Sequence, residues 1–172
     1  PVERLVAVKT LLGEHALDPS FRRMFETEAR VMGRIRHANV VSVMGAGVSL
    51  AGPYFVMEYI EGVSLGQLLR SVAAEGERIP LVHVLSIIEQ AALGLAAAHE
   101  LTDDEGRPLS LIHRDVSPQN LLIGTDGVVR LTDFGIAKVS QSERTETGIL
   151  KGKIGYMAPE QLNFDEPTAA AD

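Results

Sequence analysis

Three short segments stand in a fixed order in this chain: His113-Arg114-Asp115-Val116-Ser117-Pro118-Gln119-Asn120, then Asp133-Phe134-Gly135, then Ala158-Pro159-Glu160. Each is ordinary alone, since Asp-Phe-Gly is a common turn tripeptide and a single His is usually a packed core residue. Together and in order they are hard to obtain by chance. Between the first two, Leu121 to Ile123 and Val128 to Leu131 flank Gly124-Thr125-Asp126-Gly127, which reads as a hairpin.

The residues upstream divide into two textures. Leu5 to Lys9 reads as a short strand with Val6 and Val8 on one face and Ala7 and Lys9 on the other. Asp18-Pro19 suits a helix start, and Phe21, Phe25, Met32 and Ile35 follow at helical spacing with Glu28 inside the same stripe. Val40 to Val43 and Tyr54 to Tyr59 read as two strands joined by Gly- and Pro-bearing turns. The uncharged run Ala38 to Met57 approaches membrane-spanning length, but Asn39, Gly45, Gly47, Gly52 and Pro53 interrupt it. Beyond a boundary near Glu61-Gly62 the texture is helical. Ser64 caps a helix through Arg70, and Pro80 begins a long one through His99, with Val84, Ile87, Ile88, Ala91, Leu95 and Ala98 on its apolar side. Thr102 to Arg107 is polar and contains Gly, and reads as an exposed loop.

Composition narrows the function. With 16 Lys plus Arg against 23 Asp plus Glu, the formal charge is −7, which excludes a cationic phosphate-tracking surface for nucleic acid. The absence of Cys excludes disulfide scaffolds and thiolate metal sites. No cationic region followed by an apolar stretch opens the chain, so a cytoplasmic location is expected, with no membrane contact by this segment. That location includes the case of a cytoplasmic domain in a membrane-anchored parent.

The ordered segments resemble the protein kinase family, whose catalytic loop, metal-binding triplet and Ala-Pro-Glu segment occur in this sequence. Val6-Ala7-Val8-Lys9 is similar to its Val-Ala-Ile-Lys strand, and Glu28 lies where its helix supplies a partner Glu. The resemblance implies an α+β, two-lobed fold: residues 1–60 as a partial N-lobe, residues 61–172 as a partial C-lobe. It further implies that the first strands and last helices of the family fold lie outside this sequence. ATP and Mg2+ are the implied cofactors. Phosphoryl transfer needs positioning and charge neutralisation, and each need has a candidate. Lys9 would meet the α- and β-phosphates, held by Glu28; Asp133 and Asn120 would hold magnesium through oxygen; Asp115 would orient the acceptor hydroxyl. Met57-Glu58-Tyr59-Ile60 would be the hinge whose backbone, at Met57, Glu58 and Ile60, meets adenine, with Ala7 and Leu122 sandwiching the ring. Met32, His113 and Phe134 would stack into a spine, and Asp172 falls where the family braces the catalytic loop.

Gly135 to Pro159 resembles an activation loop, with Thr145 or Thr147 as the expected autophosphorylation site and Arg114 as the cationic receiver. The expected partners are a protein substrate with a Ser or Thr acceptor and a second copy, as a homodimer phosphorylating in trans. Two positions depart from the serine/threonine pattern. Ser117 stands where Lys touches the γ-phosphate, and Lys153 stands where Thr usually follows Gly152. Lys153 is therefore expected to restore positive charge near Asp115. Other readings remain open at this level: a pseudokinase-like module binding nucleotide or a partner without turnover, and a small-molecule phosphotransferase of similar fold. The pattern is most similar to bacterial eukaryotic-like serine/threonine kinases; this segment by itself is expected to be inactive.

Overall fold

The computed structural model describes residues 3–11, 13, 17–134, 154–163 and 165–172. Two three-stranded antiparallel sheets carry the helices. In the first, β1 (Val6–Thr10), β2 (Val43–Ser49) and β3 (Gly52–Glu58) are ordered β1-β3-β2, so β3 is central. Its register sets Ala7 opposite Met57 and Lys9 opposite Phe55. Helix α1 (Pro19–Met32) starts at Asp18, whose carboxylate accepts from the Ser20 N–H, and Pro19 needs no amide at that position. Its apolar side lies on the sheet: the Phe25 and Phe55 rings are 4.9 Å apart and Ala29 is buried beside them.

In the second sheet, β4 (Gly62–Ser64), β5 (Leu121–Gly124) and β6 (Val129–Leu131) are ordered β4-β5-β6. Ser64 ends β4 and caps α2 (Leu65–Ala74) through a reciprocal box with Gln67, which carries the helix past Arg70. Helix α3 (Leu81–His99) packs on β6, where Gly94 lets the helix backbone approach Asn39 and Leu131. A short α4 (Pro159–Leu162) follows Ala158.

One core joins the two sheets. Met32 at the end of α1, Val40, Leu111, Leu121, Leu131 and Phe134 are buried in one cluster, with Ile87, Ala91 and Leu95 of α3 against it. One strand expectation shifts here. Val40 to Ser42 are not in β2: Val40 bridges Leu131 in parallel, the Val41 N–H donates to the Leu131 carbonyl, and the Leu131 N–H donates to that of Asn39. The β-branched Val40 and Val41 bind the edge of β6 and fill the core, so β2 begins at Val43. Ile88 also differs from expectation: it is 59% exposed, off the packed side, in a row with Leu81, Val82 and Leu85. Among the described residues, α3 is the one helix long and apolar enough to cross a membrane, yet its inner side is packed on β6.

Candidate active site

The site begins with a charge cluster that the core forces together. Strand β1 presents Lys9 and α1 presents Glu28 toward each other, and the Lys9 Nζ donates to Glu28 Oε1 at 2.6 Å and to Asp133 Oδ1 at 2.8 Å. The ammonium also lies 5.5 Å above the Phe55 ring, a cation–π distance. Glu28 is 1% exposed, and a carboxylate that deep requires cationic company. Burial opposes charge on Lys9, but Glu28 and Asp133 outweigh it and hold its pKa above the ordinary lysine range. Lys9 is therefore charged at neutral pH.

Across from it, the segment from Asp115 to Asn120 is closed by its own polar groups. Asn120 Nδ2 donates to the Asp115 carbonyl at 2.8 Å and to Asp115 Oδ2 at 2.7 Å. The Asn120 N–H meets the Ser117 carbonyl, and the Thr132 N–H donates to the Asn120 carbonyl, which ties this segment to the residue before Asp133. His113 is fully buried with its ring 4.4 Å from that of Phe134. Its Nε2–H donates to the Thr132 carbonyl while Nδ1 accepts from the Asp115 N–H. That pair of bonds suits the neutral imidazole, and burial lowers its pKa.

The backbone is bent to fit. Arg114 and Asp133 hold positive φ, 66° and 55°, in a region non-Gly residues rarely adopt; such strain persists where surroundings over-determine it. At Arg114 the surroundings are Asp172, whose two oxygens accept from the His113 and Arg114 N–H groups at 2.7 Å each, and Gln161, whose Nε2 donates to the Arg114 carbonyl. Asp172 Oδ2 also meets His99 Nε2 at 2.9 Å. The sequence reading placed Asp172 but missed His99 and Gln161, because a lone side chain bonding across the fold leaves no periodic signal.

A family model described as protein tyrosine and serine/threonine kinase matches residues 2–172. The chain belongs to the protein kinase family. It is 40% identical over 171 residues to the tyrosine-protein kinase MasK of Myxococcus xanthus, covering 99% of this chain and 26% of that protein. It is 37% identical over 175 residues to the serine/threonine-protein kinase PknA of Mycobacterium tuberculosis, covering 98% and 38%. The PknI kinase-domain crystal structure from the same organism superposes with a TM-score of 0.68 at 28% identity, over 97% of this chain and 58% of that one. The fold is thus that of a two-lobed kinase, and the chain spans between a quarter and two-fifths of the length of these curated relatives.

The remaining sequence candidates take their places in this kinase as follows. Ala7 and Met57 are paired on β1 and β3; Glu58 ends β3, its Oε1 accepting from the Ser42 N–H; Ile60 lies between β3 and β4; Leu122 is on β5, paired with Ser64 and Arg130. Met32, Phe134 and His113 are each at most 1% exposed, Met32 and Phe134 in one cluster. Thr145, Thr147 and Lys153 lie outside the described residues. Two cavities, of about 510 and 660 Å³, lie away from the charge cluster, one lined by Arg36, His37, Glu58 and Arg130, the other between α1 and β2. Neither is lined by Lys9, Asp115 or Asp133.

Proposed function

We propose that this kinase transfers the γ-phosphoryl group of ATP to a Ser or Thr hydroxyl of a protein substrate. The observation that carries the reading is the Lys9 ammonium shared between Glu28 and Asp133, on the same core that positions Asp115 and Asn120. A charged lysine fixed by a buried Glu is a ready counterion for phosphate oxygens, and its salt link to Asp133 exchanges for that contact when nucleotide enters. Magnesium suits the donor set: Asn120 turns its amide nitrogen to Asp115, leaving the carbonyl oxygen, and half-exposed Asp133 supplies hard carboxylate oxygen. When bound, the ion neutralises phosphate charge. Asp115 receives and orients the acceptor hydroxyl. Met57, Glu58 and Ile60 hold adenine through backbone groups between Ala7 and Leu122.

The same reading divides the chain at residues 1–60 and 61–172, places it in the cytoplasm, and assigns trans-autophosphorylation between two copies to Thr145 or Thr147 with Arg114 as receiver. Lys153 adds charge near Asp115. For the acceptor, PknA and PknL are named serine/threonine kinases, and Ser117-Pro118 departs from the Ala- and Arg-rich loop of tyrosine kinases. The 40% identity to MasK, named a tyrosine kinase, supports tyrosine as the second reading. Phosphoamino-acid analysis of substrate labelled by the full-length protein decides. Phosphoserine or phosphothreonine is expected; phosphotyrosine alone would replace the first reading with the second, and no label would favour a module without turnover.

A further inference from the structure

The peptide unit between Arg114 and Asp115 is held at both edges. Its carbonyl, on Arg114, accepts from Gln161 Nε2 at 2.9 Å, and its N–H, on Asp115, donates to His113 Nδ1 at 3.3 Å. A peptide unit is planar, so gripping its oxygen fixes the direction in which Asp115 leaves it. The unit before it, between His113 and Arg114, is held separately, by Asp172 Oδ1 on the Arg114 N–H. Arg114, at φ 66°, is the joint between the two units, and a non-Gly residue stays in that region only where its surroundings hold it there. Asp172 holds one side of the joint and Gln161 the other.

The other end of the same amide serves a different segment. Gln161 Oε1 accepts from the Ala158 N–H at 3.0 Å, at the start of α4, where Ala158 has no side-chain acceptor of its own. These partners fix the amide's orientation, since a flipped amide would set nitrogen against N–H and oxygen against C=O. One half-buried side chain thus ties the Ala158-Pro159-Glu160 segment to the peptide that carries Asp115. We infer that Gln161 is a positioning residue for phosphotransfer, transmitting the seating of α4 to the direction of the Asp115 carboxylate; this rests on the phosphotransfer reading above. Asp115 is clamped from its other side by Asn120 Nδ2, which donates to its carbonyl and to its Oδ2. A tilt of the Arg114–Asp115 plane works against that clamp and turns the carboxylate off its line to the acceptor. If the Gln161 donor is lost, water takes its place at the part-buried carbonyl, so the fold loses little while the plane gains freedom. A small misplacement of a reacting group costs far more in rate than in stability.

The test is steady-state transfer from γ-labelled ATP to myelin basic protein by the full-length wild type and its Gln161→Glu and Gln161→Leu variants, at varied ATP, alongside melting temperatures. Gln161→Glu keeps an oxygen for the Ala158 N–H but sets a second oxygen against the Arg114 carbonyl, so the contact within α4 survives and the contact to the Asp115 peptide does not. It is expected to lower kcat about tenfold, with KM for ATP within about twofold and the melting temperature within about 2 °C. Gln161→Leu keeps neither contact, and should lower kcat as far and the melting temperature as well. A wild-type kcat in Gln161→Glu overturns the inference. So does a loss of kcat that comes only with a comparable rise in KM for ATP or a clear fall in melting temperature, which marks a contact that merely holds the fold. In either case the proposed function stands, because the wild type still transfers phosphate. A wild type that labels neither this acceptor nor itself overturns both.

Discussion

Lys9 Nζ lies 2.6 Å from Glu28 Oε1 although 19 positions separate them, and 2.8 Å from Asp133 Oδ1, 124 positions away. A strand, a helix and the end of a hairpin meet at one ammonium group. The Phe25–Phe55 contact seats α1 on the first sheet, and the Met32–Phe134 cluster joins α1 to the second. The charge cluster therefore reports whether the core that couples the two sheets is assembled.

Removing the cation should expose that dependence. Lys9→Met takes a counterion from a carboxylate that is 2% exposed. Loss of one partner of a buried pair costs about 3–5 kcal/mol; with Lys9 one-third exposed, solvent screening puts the expected loss near ~2 kcal/mol. Glu28→Gln in the same background should recover most of it by removing the stranded charge. Urea denaturation of the two variants checks this, and no recovery in the double variant would contradict it.

Asp172 should matter more than its place beyond the short segments suggests. Its carboxylate holds two backbone N–H groups next to the strained Arg114, and hydrogen bonds to a charged group contribute about 1.5–3 kcal/mol each. Asp172→Ala is expected to lower stability by about 3 kcal/mol and to reduce phosphotransfer at least tenfold. Asp172→Asn should cost less stability, because the neutral amide oxygen still accepts. Equal stability of Asp172→Ala and wild type would show that other contacts hold the backbone.

His113 gives stability a pH dependence of definite sign. Burial lowers its pKa in the fold from the ordinary 6.5, so below pH 6.5 the unfolded chain takes up a proton that the folded chain refuses. Its contribution is fully present above pH 6.5 and declines as pH falls toward the folded pKa, by up to about 1.4 kcal/mol per unit. Denaturation midpoints between pH 7 and pH 5.5, compared with His113→Asn, should show the slope in wild type and a shallower one in the variant.

Gly94 should reverse the usual effect of alanine in a helix. Gly to Ala ordinarily stabilises a helix interior by roughly 0.5–1 kcal/mol. Here a Cβ would sit 2.5 Å from the Asn39 carbonyl oxygen and 2.8 Å from Leu131 Cδ1. Gly94→Ala is expected to destabilise by about 1–3 kcal/mol, as overpacking does, measured by thermal melting. A gain in melting temperature would mean that α3 does not press on β6 this closely.

Much of this architecture was legible because short motifs name their own neighbours. Asp115, Asn120 and Asp133 stand in segments whose order carries meaning, and Glu28 was conspicuous as an acid inside an apolar stripe. Helix starts at Asp18 and Ser64 followed from capping chemistry. The extended run Val40–Ser42 was misread as strand because β-branched residues look alike whether they pair in a sheet or bind a strand edge and fill a core. Ile88 failed differently: α3 is apolar around most of its circumference, so periodicity does not say which side is packed. His99 and Gln161 were invisible, since their partners Asp172 and Arg114 are 73 and 47 positions away.

The most direct test of the central claim is the rate of radiolabel transfer from γ-labelled ATP to protein by the full-length wild type and its Asp115→Asn variant, with ATP affinity measured on both. Asp115 touches the acceptor in this account, and Lys9 and Asp133 hold the nucleotide. The variant should bind ATP within about threefold of wild type and transfer phosphate at least ~10²-fold more slowly, the span a positioned catalytic carboxylate typically contributes. Transfer by Asp115→Asn at the wild-type rate would contradict the account.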